Sequence, residues 1–204
     1  MASVYDAFMR PAERASLGGW RRELLRDLKG AVLEVGAGTG ANLPFYPASV
    51  ARLVLAEPDA HMRAKLERRV ARMDRPEIEV ADASLERLPW ANASFDAVVA
   101  TLVFCSVEEP AQAFAEVHRV LVPGGAYVFL EHVAAEHDAR RFAWQRRIEP
   151  LWRPIAGGCH LTRRTADAIR AAGFEVDHEV RESARRTLPI VRTMVRGVAR
   201  KAVT

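Results

Sequence analysis

The 204-residue sequence holds only two cysteines, Cys105 and Cys159, and no CxxC pair. A zinc or disulfide framework is therefore not expected, and no metal-ligating set is assigned. The opening stretch "MASVYDAFMRPAERASLGGW" is charged and short of apolar residues. It reads as neither a signal peptide nor a membrane span, which makes a reducing cytoplasm the expected compartment. There is no internal repeat and no low-complexity linker. The charge imbalance is small: 30 Lys and Arg against 26 Asp and Glu give a net +4. That is too little to indicate a nucleic-acid partner. Part of the excess lies near the C-terminus, in Arg181, Arg185, Arg186, Arg192, Arg196, Arg200 and Lys201. These read as a solvated face, with attraction of an acidic substrate or transient contact to an anionic membrane surface as the alternatives.

Half of the residues are hydrophobic, enough for one full core at this length and short for two. Helices are expected over 4–17 and from Trp20 to Leu28. After them, strands are read at 31–35, 51–57, 77–81, 94–103 and 126–133. Helical spacing intervenes at 59–73 and 109–121, and "PGG" (123–125) turns the chain into the fifth strand. Residues 138–149 read as a helix, followed by the Pro- and Gly-rich connection "EPLWRPIAGGCHLTRRT". A short helix at 165–172 precedes a strand at 174–183; 190–202 reads as a final strand, joined near Pro189 in an antiparallel edge pair, with a helix as the competing reading. Alternation of this kind indicates an α/β fold with a mostly parallel sheet and helices on both faces. One domain is expected over 1–204, with N-terminal helices at 4–28 and a lid-like insertion at 138–163.

The densest signal is "VLEVGAGTGANLPFYP" (32–47), where an apolar strand runs into Gly36, Gly38 and Gly40. Such glycines let a backbone approach a ligand beyond the C-terminal end of a strand. "GAGTGA" satisfies a dinucleotide fingerprint, and Glu57 lies where an acid would hold a ribose. A nicotinamide enzyme therefore fits. A phosphate-binding loop fits less well, since no Gly-Lys-Ser or Gly-Lys-Thr follows. Glu34 inside the strand would be unhelpful beside a pyrophosphate but suits a cationic amino-acid ammonium. Asp82, just past the third strand, can accept from an adenine amino group or serve as a turn residue.

In combination, "VLEVGAGTG", "LAEPD", "DASLERLPWANASFDAVVATLVFCSV" and "VHRVLVPGGAYVFLEHV" resemble the class I S-adenosylmethionine-dependent methyltransferases of the type 11 kind, over roughly residues 30 to 133. The resemblance implies a Rossmann-like seven-stranded sheet with an antiparallel C-terminal edge, and S-adenosyl-L-methionine as cofactor. It places Glu34, Gly36, Ala37 and Gly38 on the methionine and ribose side. Glu57 and Pro58 fall at the ribose hydroxyls, Asp82 and Ala83 at the adenine, and Leu102 near the methionine end. A further resemblance, carried by "TLVFCSV", "EHV", "AWQRRIEPLW" and "GGCHLTRRT", is to the methyltransferase-like 7 proteins, which are thiol S-methyltransferases. Those proteins have an N-terminal hydrophobic anchor that is not read here, and a second cysteine where this chain has His160.

Methyl transfer from a sulfonium is an in-line displacement that needs an aligned, unprotonated acceptor. His132, at the end of the fifth strand, and His160, in the insertion, are the candidate catalytic bases. Glu131 is a further candidate, or a partner for Arg163. Cys105 and Cys159 have buried packing as their plainer reading. Phe45, Tyr46, Trp144 and Trp152 are candidate walls of an apolar acceptor pocket, with core packing as the alternative. Trp90 flanks an adenine or anchors its loop. The expected function is methyl transfer to a small, apolar molecule, a thiol first. Alternatives are an N- or O-methyltransferase of a small molecule or phospholipid headgroup, a nicotinamide-dependent oxidoreductase, and a non-catalytic S-adenosylmethionine-binding module. Nucleic acid is not expected as acceptor, because "TLVFCS" stands where an Asn/Asp-Pro-Pro-Tyr/Phe signature would be. A monomer or weak dimer is expected.

Overall fold

A computed structural model describes residues 2–203, with side chains from Asp6 onward. One seven-stranded sheet organises it: β1 (Gly30–Val35), β2 (Val50–Ala56), β3 (Ile78–Ala81), β4 (Phe95–Thr101), β5 (Leu121–His132), β6 (Phe174–Ser183) and β7 (Thr193–Lys201). The spatial order is β3-β2-β1-β4-β5-β7-β6. The first five strands run parallel, and β7 is antiparallel to both β5 and β6. The expected α/β sheet with an antiparallel C-terminal edge is thus the observed one.

The central strands are near-continuous apolar runs because both of their faces are covered. On one face Leu33, Val98, Tyr127 and Phe129 pack with Phe114 and Val117 of α4 (Pro110–Val120) and Ile169 of α6 (Thr165–Ala171). On the other, Val32, Leu53 and Val99 meet Leu25 of α2 (Gly18–Leu25) and Leu66 of α3 (Ala60–Val70). The order reverses at β1 and β4, so the loops after these strands form the crevice where ligands of open α/β sheets bind.

Three expectations are corrected. No break separates the N-terminal helices: α1 (Ala2–Ala12) passes through a π-helical stretch (Glu13–Leu17) straight into α2. Gly18 is a packing glycine there, since a Cβ would lie 2.9 Å from the Glu13 carbonyl oxygen. α5 (Ala139–Ile155) does not stop at residue 149 but continues through Pro150 and Pro154. Both prolines are exposed, four residues apart on one face, so the backbone groups they leave unpaired face solvent. "PGG" is an irregularity within β5, where the β4–β5 register shifts between Phe95 and Ala97, rather than a turn ahead of it. Among the described residues, no helix is long and apolar enough to cross a membrane.

Candidate active site

The loop after β1 holds its shape by left-handed backbone at Gly36, Gly38 and Gly40, with φ of 61°, 57° and 84°. Glu34 lies beneath it, 1% exposed. Its carboxylate accepts from Asn42 Nδ2 at 2.9 Å and from the Tyr46 hydroxyl at 2.7 Å. Burial pushes the Glu34 pKa up to about 7 against those two hydrogen bonds and the nearby Arg21 charge. Arg21, itself buried, donates to Asn42 Oδ1 and Thr101 Oγ1, both at 2.8 Å, and pairs with Glu13. The N-terminal helices therefore brace the loop through an Arg21–Asn42–Glu34–Tyr46 network that sequence reasoning missed. Its one signal was an arginine at the i and i+4, i+7 spacing of Leu25 and Leu28 on the buried helical stripe.

Glu57, just past β2, ties the glycine loop to the neighbouring strand. One carboxylate oxygen accepts from the Gly38 N–H at 2.7 Å, the other from the Asp59 N–H at 2.9 Å. Burial raises its pKa, against these N–H groups. Arg63 joins the ends of β2 and β3. It donates to the carbonyls of Glu57 and Pro58 and pairs with Asp82 at 2.9 Å. The Asp82 side chain is 67% exposed, whereas Ala83 and Ala37 are buried. Leu102 ends β4 in left-handed backbone, φ 60°, and donates to the Leu130 carbonyl at 2.8 Å.

These groups fit S-adenosylmethionine. A Cβ added at Gly38 would meet nothing nearer than Met62 Sδ at 3.9 Å, so that side of the loop is open. Each Glu57 oxygen retains a lone pair for a ribose hydroxyl. Asp82 is accessible to an exocyclic amine. Tyr46 proves to be part of the loop's support. Phe45 packs in the same core, with the Arg22 guanidinium 5.4 Å from its ring centre. Neither is an acceptor wall. Trp90 packs edge-on against Phe95 at 5.6 Å and anchors its loop.

The segment after Leu102 leads to the insertion, where the His160 N–H bonds the Cys105 carbonyl. Glu131 does not pair with Arg163. Its Oε1 accepts the N–H groups of Val103 and Phe104 at 3.0 and 3.1 Å, clamping this segment to β5. Burial drives the Glu131 pKa up to about 7 despite those donors. His132 Nε2 lies 2.9 Å from Cys159 Sγ, and Trp152 Nε1 donates to the same sulfur at 3.2 Å. The neighbouring Cys105 thiol is the strongest influence holding the Cys159 pKa below its ordinary value, with His132 and Trp152 adding to it against burial. The proximity of Cys159, together with burial, raises Cys105. The two cysteines thus meet, although 54 positions apart in the chain, because the His160 N–H bonds the Cys105 carbonyl at 2.8 Å.

A cleft of about 700 Å³ opens alongside, lined by Ser106, Glu108, Arg153, Gly157, Gly158, His160, Thr162 and Arg163. It is polar and charged, unlike the aromatic-walled pocket expected from the sequence. Trp144 is 56% exposed and turns away to solvent. His160 lines the cleft, its Nδ1 3.3 Å from Glu149 Oε1, while His132 is buried. Glu149 also accepts from the Thr162 N–H and hydroxyl. The C-terminal basic residues are largely paired within the fold. Arg196 is held by Glu23 and Glu182, and Arg200 by Asp177.

Comparison with known proteins agrees with this geometry. The sequence pattern of the family "Methyltransferase domain" matches residues 33–129. The chain is 36% identical over 195 residues to the human protein "Thiol S-methyltransferase TMT1B", covering 90% of this chain and 80% of that one. It is 38% identical to human "Thiol S-methyltransferase TMT1A" over 164 residues, 76% of this chain and 67% of the other. Among solved structures, "Crystal Structure of the [4+2]-Cyclase SpnF" superposes with a TM-score of 0.73 at 20% identity, over 92% of this chain and 80% of that one, a likeness of fold. The nicotinamide alternative left open by "GAGTGA" falls with these matches. With the glycine loop, Glu57 and Asp82 arranged around one crevice and the relatedness extending over most of both sequences, the chain belongs to the class I S-adenosylmethionine-dependent methyltransferases and acts on a small molecule.

Proposed function

We propose that this enzyme methylates a small thiol, and that the cleft beside the Cys105–Ser106 segment receives it. One observation carries the reading. The similarity to the human protein "Thiol S-methyltransferase TMT1B" spans 90% of this chain, so it includes the insertion as well as the cofactor half. S-adenosylmethionine, held at Gly36–Gly38, Glu57, Asp82–Ala83 and Leu102, supplies an electrophilic methyl on a sulfonium. The protein's own task is to present the acceptor sulfur unprotonated. An unperturbed thiol has a pKa near ~8.5, so a modest base is enough.

His160 is placed for that task. It lines the cleft, and Glu149 beneath it fixes the ring through Nδ1 and stabilises a proton gained at Nε2. Burial opposes the low pKa of Glu149, but the hydrogen bonds from Thr162 and His160 prevail and keep it below its ordinary value. His132 is a positioning residue, holding Cys159 and with it the end of the insertion. Residues 138–163 act as the lid over the acceptor, with Arg153, His160 and Arg163 reaching into the cleft. The whole chain works as a single domain.

The reading is tested with labelled S-adenosylmethionine and a panel of alkyl, aryl and carboxylate-bearing thiols, amines, phenols and phospholipids. Labelled thioether is the expected product. Product from amines or lipids alone overturns the thiol assignment. His160→Ala is expected to lower turnover by roughly 100-fold near neutral pH, with the deficit shrinking as pH rises and the thiol ionises unaided. Cofactor affinity stays unchanged. Turnover equal to wild type removes His160 from the reaction.

A further inference from the structure

We infer that Cys105, His132 and Cys159 form a binding site for a single thiophilic divalent cation of the zinc type. Their two Sγ atoms and one ring nitrogen all lie within 4.8 Å of one another, and all three residues are buried. The three come from three separate parts of the fold: the loop after β4, the end of β5, and the loop that follows α5. Packing alone does not require two sulfurs and an imidazole to converge. Isolated buried cysteines pack against apolar neighbours, whereas Cys159 Sγ shares a hydrogen bond with His132 Nε2 and receives the Trp152 N–H.

The donor set suits the ion. Two thiolates and one imidazole are soft and borderline ligands, matched to zinc rather than to magnesium or calcium. In a tetrahedral zinc site with bonds of ~2.3 Å to sulfur and ~2.0 Å to nitrogen, donors sit roughly 3.5 Å apart. Here the His132–Cys159 contact is 2.9 Å, a hydrogen-bond length. It must open by roughly half an ångström as the cation displaces the shared proton. Loading therefore releases two protons, one from the Cys105 thiol and one from the His132–Cys159 pair. Trp152 Nε1–H continues to donate to the Cys159 sulfur, the kind of outer contact that orients a ligand.

Among the described residues these are three ligands and no fourth. The remaining tetrahedral position is left for water or an incoming ligand, the pattern of an open rather than a closed site. An entry path exists: Ser106 follows Cys105, Gly158 and His160 flank Cys159, and all three line the cleft. A bound cation would pin the end of the insertion to the ends of β4 and β5. This inference concerns cation binding alone and stands whichever acceptor the enzyme uses.

The experiment titrates cobalt(II) into the phosphine-reduced full-length protein and follows absorption. One equivalent is expected to give a near-ultraviolet sulfur-to-metal charge-transfer band, abolished by one equivalent of zinc. Cys105→Ser and Cys159→Ser should each weaken binding by more than ~100-fold, and His160→Ala should leave it intact. Circular dichroism and S-adenosylhomocysteine binding confirm that the serine variants fold. As a second measurement on the wild type, zinc should slow alkylation of Cys159 by iodoacetamide, read by mass spectrometry. Absence of the charge-transfer band at stoichiometric cobalt, a band retained in both serine variants, or alkylation indifferent to zinc each overturns the site.

Discussion

The two ends of the crevice are built differently. At the glycine-loop end, short-range bonds shape the loop itself: Glu34 meets Asn42 and Tyr46, 8 and 12 residues away, and Gly38 meets Glu57, 19 away, while Arg21 braces it from the N-terminal helices and reaches Thr101, 80 residues on. Its carboxylates hold backbone N–H groups and fix a loop whose glycines give it its path. At the insertion end the contacts join the ends of β4 and β5 to each other and to the loop after α5. His132 meets Cys159 across 27 residues, and the Glu131 carboxylate clamps Val103 and Phe104 from 28 and 27 residues away. The insertion end therefore depends on how the insertion docks against β4 and β5.

Perturbing one end should leave the other standing. The largest separation is expected from Gly38→Ala. The new methyl has room in the folded protein, with Met62 Sδ its nearest neighbour at 3.9 Å. The left-handed φ of 57° costs about 1 kcal/mol of stability. Yet the methyl projects into the open side of the loop, so affinity for S-adenosylhomocysteine should fall by roughly 100-fold, ~2.7 kcal/mol. Calorimetry reads this, while cobalt binding at Cys105, His132 and Cys159 stays unchanged. Equal cofactor affinity in the variant would place the ligand elsewhere.

A second contrast uses pH. The ordinary carboxyl value for Glu34 is 4.5, and in the folded protein burial raises it to about 7. Between those values the folded state binds more protons than the unfolded one, so stability falls as pH rises through this window. A shift of this size corresponds to about 3 kcal/mol, present below the unfolded value and lost by the folded one. Glu131, raised to about 7 by the same cause at the insertion end, contributes in the same direction. Urea midpoints should be higher at pH 5 than at pH 8, and Glu34→Gln or Glu131→Gln should each flatten that slope. The identical slope in wild type and Glu34→Gln would show that the buried carboxyl does not titrate there.

The smallest effect is expected at the adenine. Asp82 is exposed and already shared with Arg63, so Asp82→Asn should weaken cofactor binding by only about threefold, ~0.7 kcal/mol. A hundredfold loss would mean that the bound ligand buries this group far more deeply than the surface geometry implies.

The sequence by itself determined the sheet. Uninterrupted apolar strands alternate with helical spacing, and burial on both faces follows from that pattern. It determined the cofactor loop too, because Gly36, Gly38 and Gly40 and the acids Glu57 and Asp82 sit at the strand ends where the topology needs them. α5 was misjudged at Pro150, since a proline disfavours a helix interior without forbidding it, and the helix continues where its exposed face leaves room for the ring and water for the freed carbonyl. Arg21 could not be read as the brace of the glycine loop, because its partners Asn42 and Thr101 come from other elements. Cys105 and Cys159 looked like unrelated packing residues for the same reason. Residue spacing reports contacts only within one element. Only the docking of the insertion against β4 and β5 decides that two cysteines and His132 meet, and that His160 rather than His132 faces the cleft.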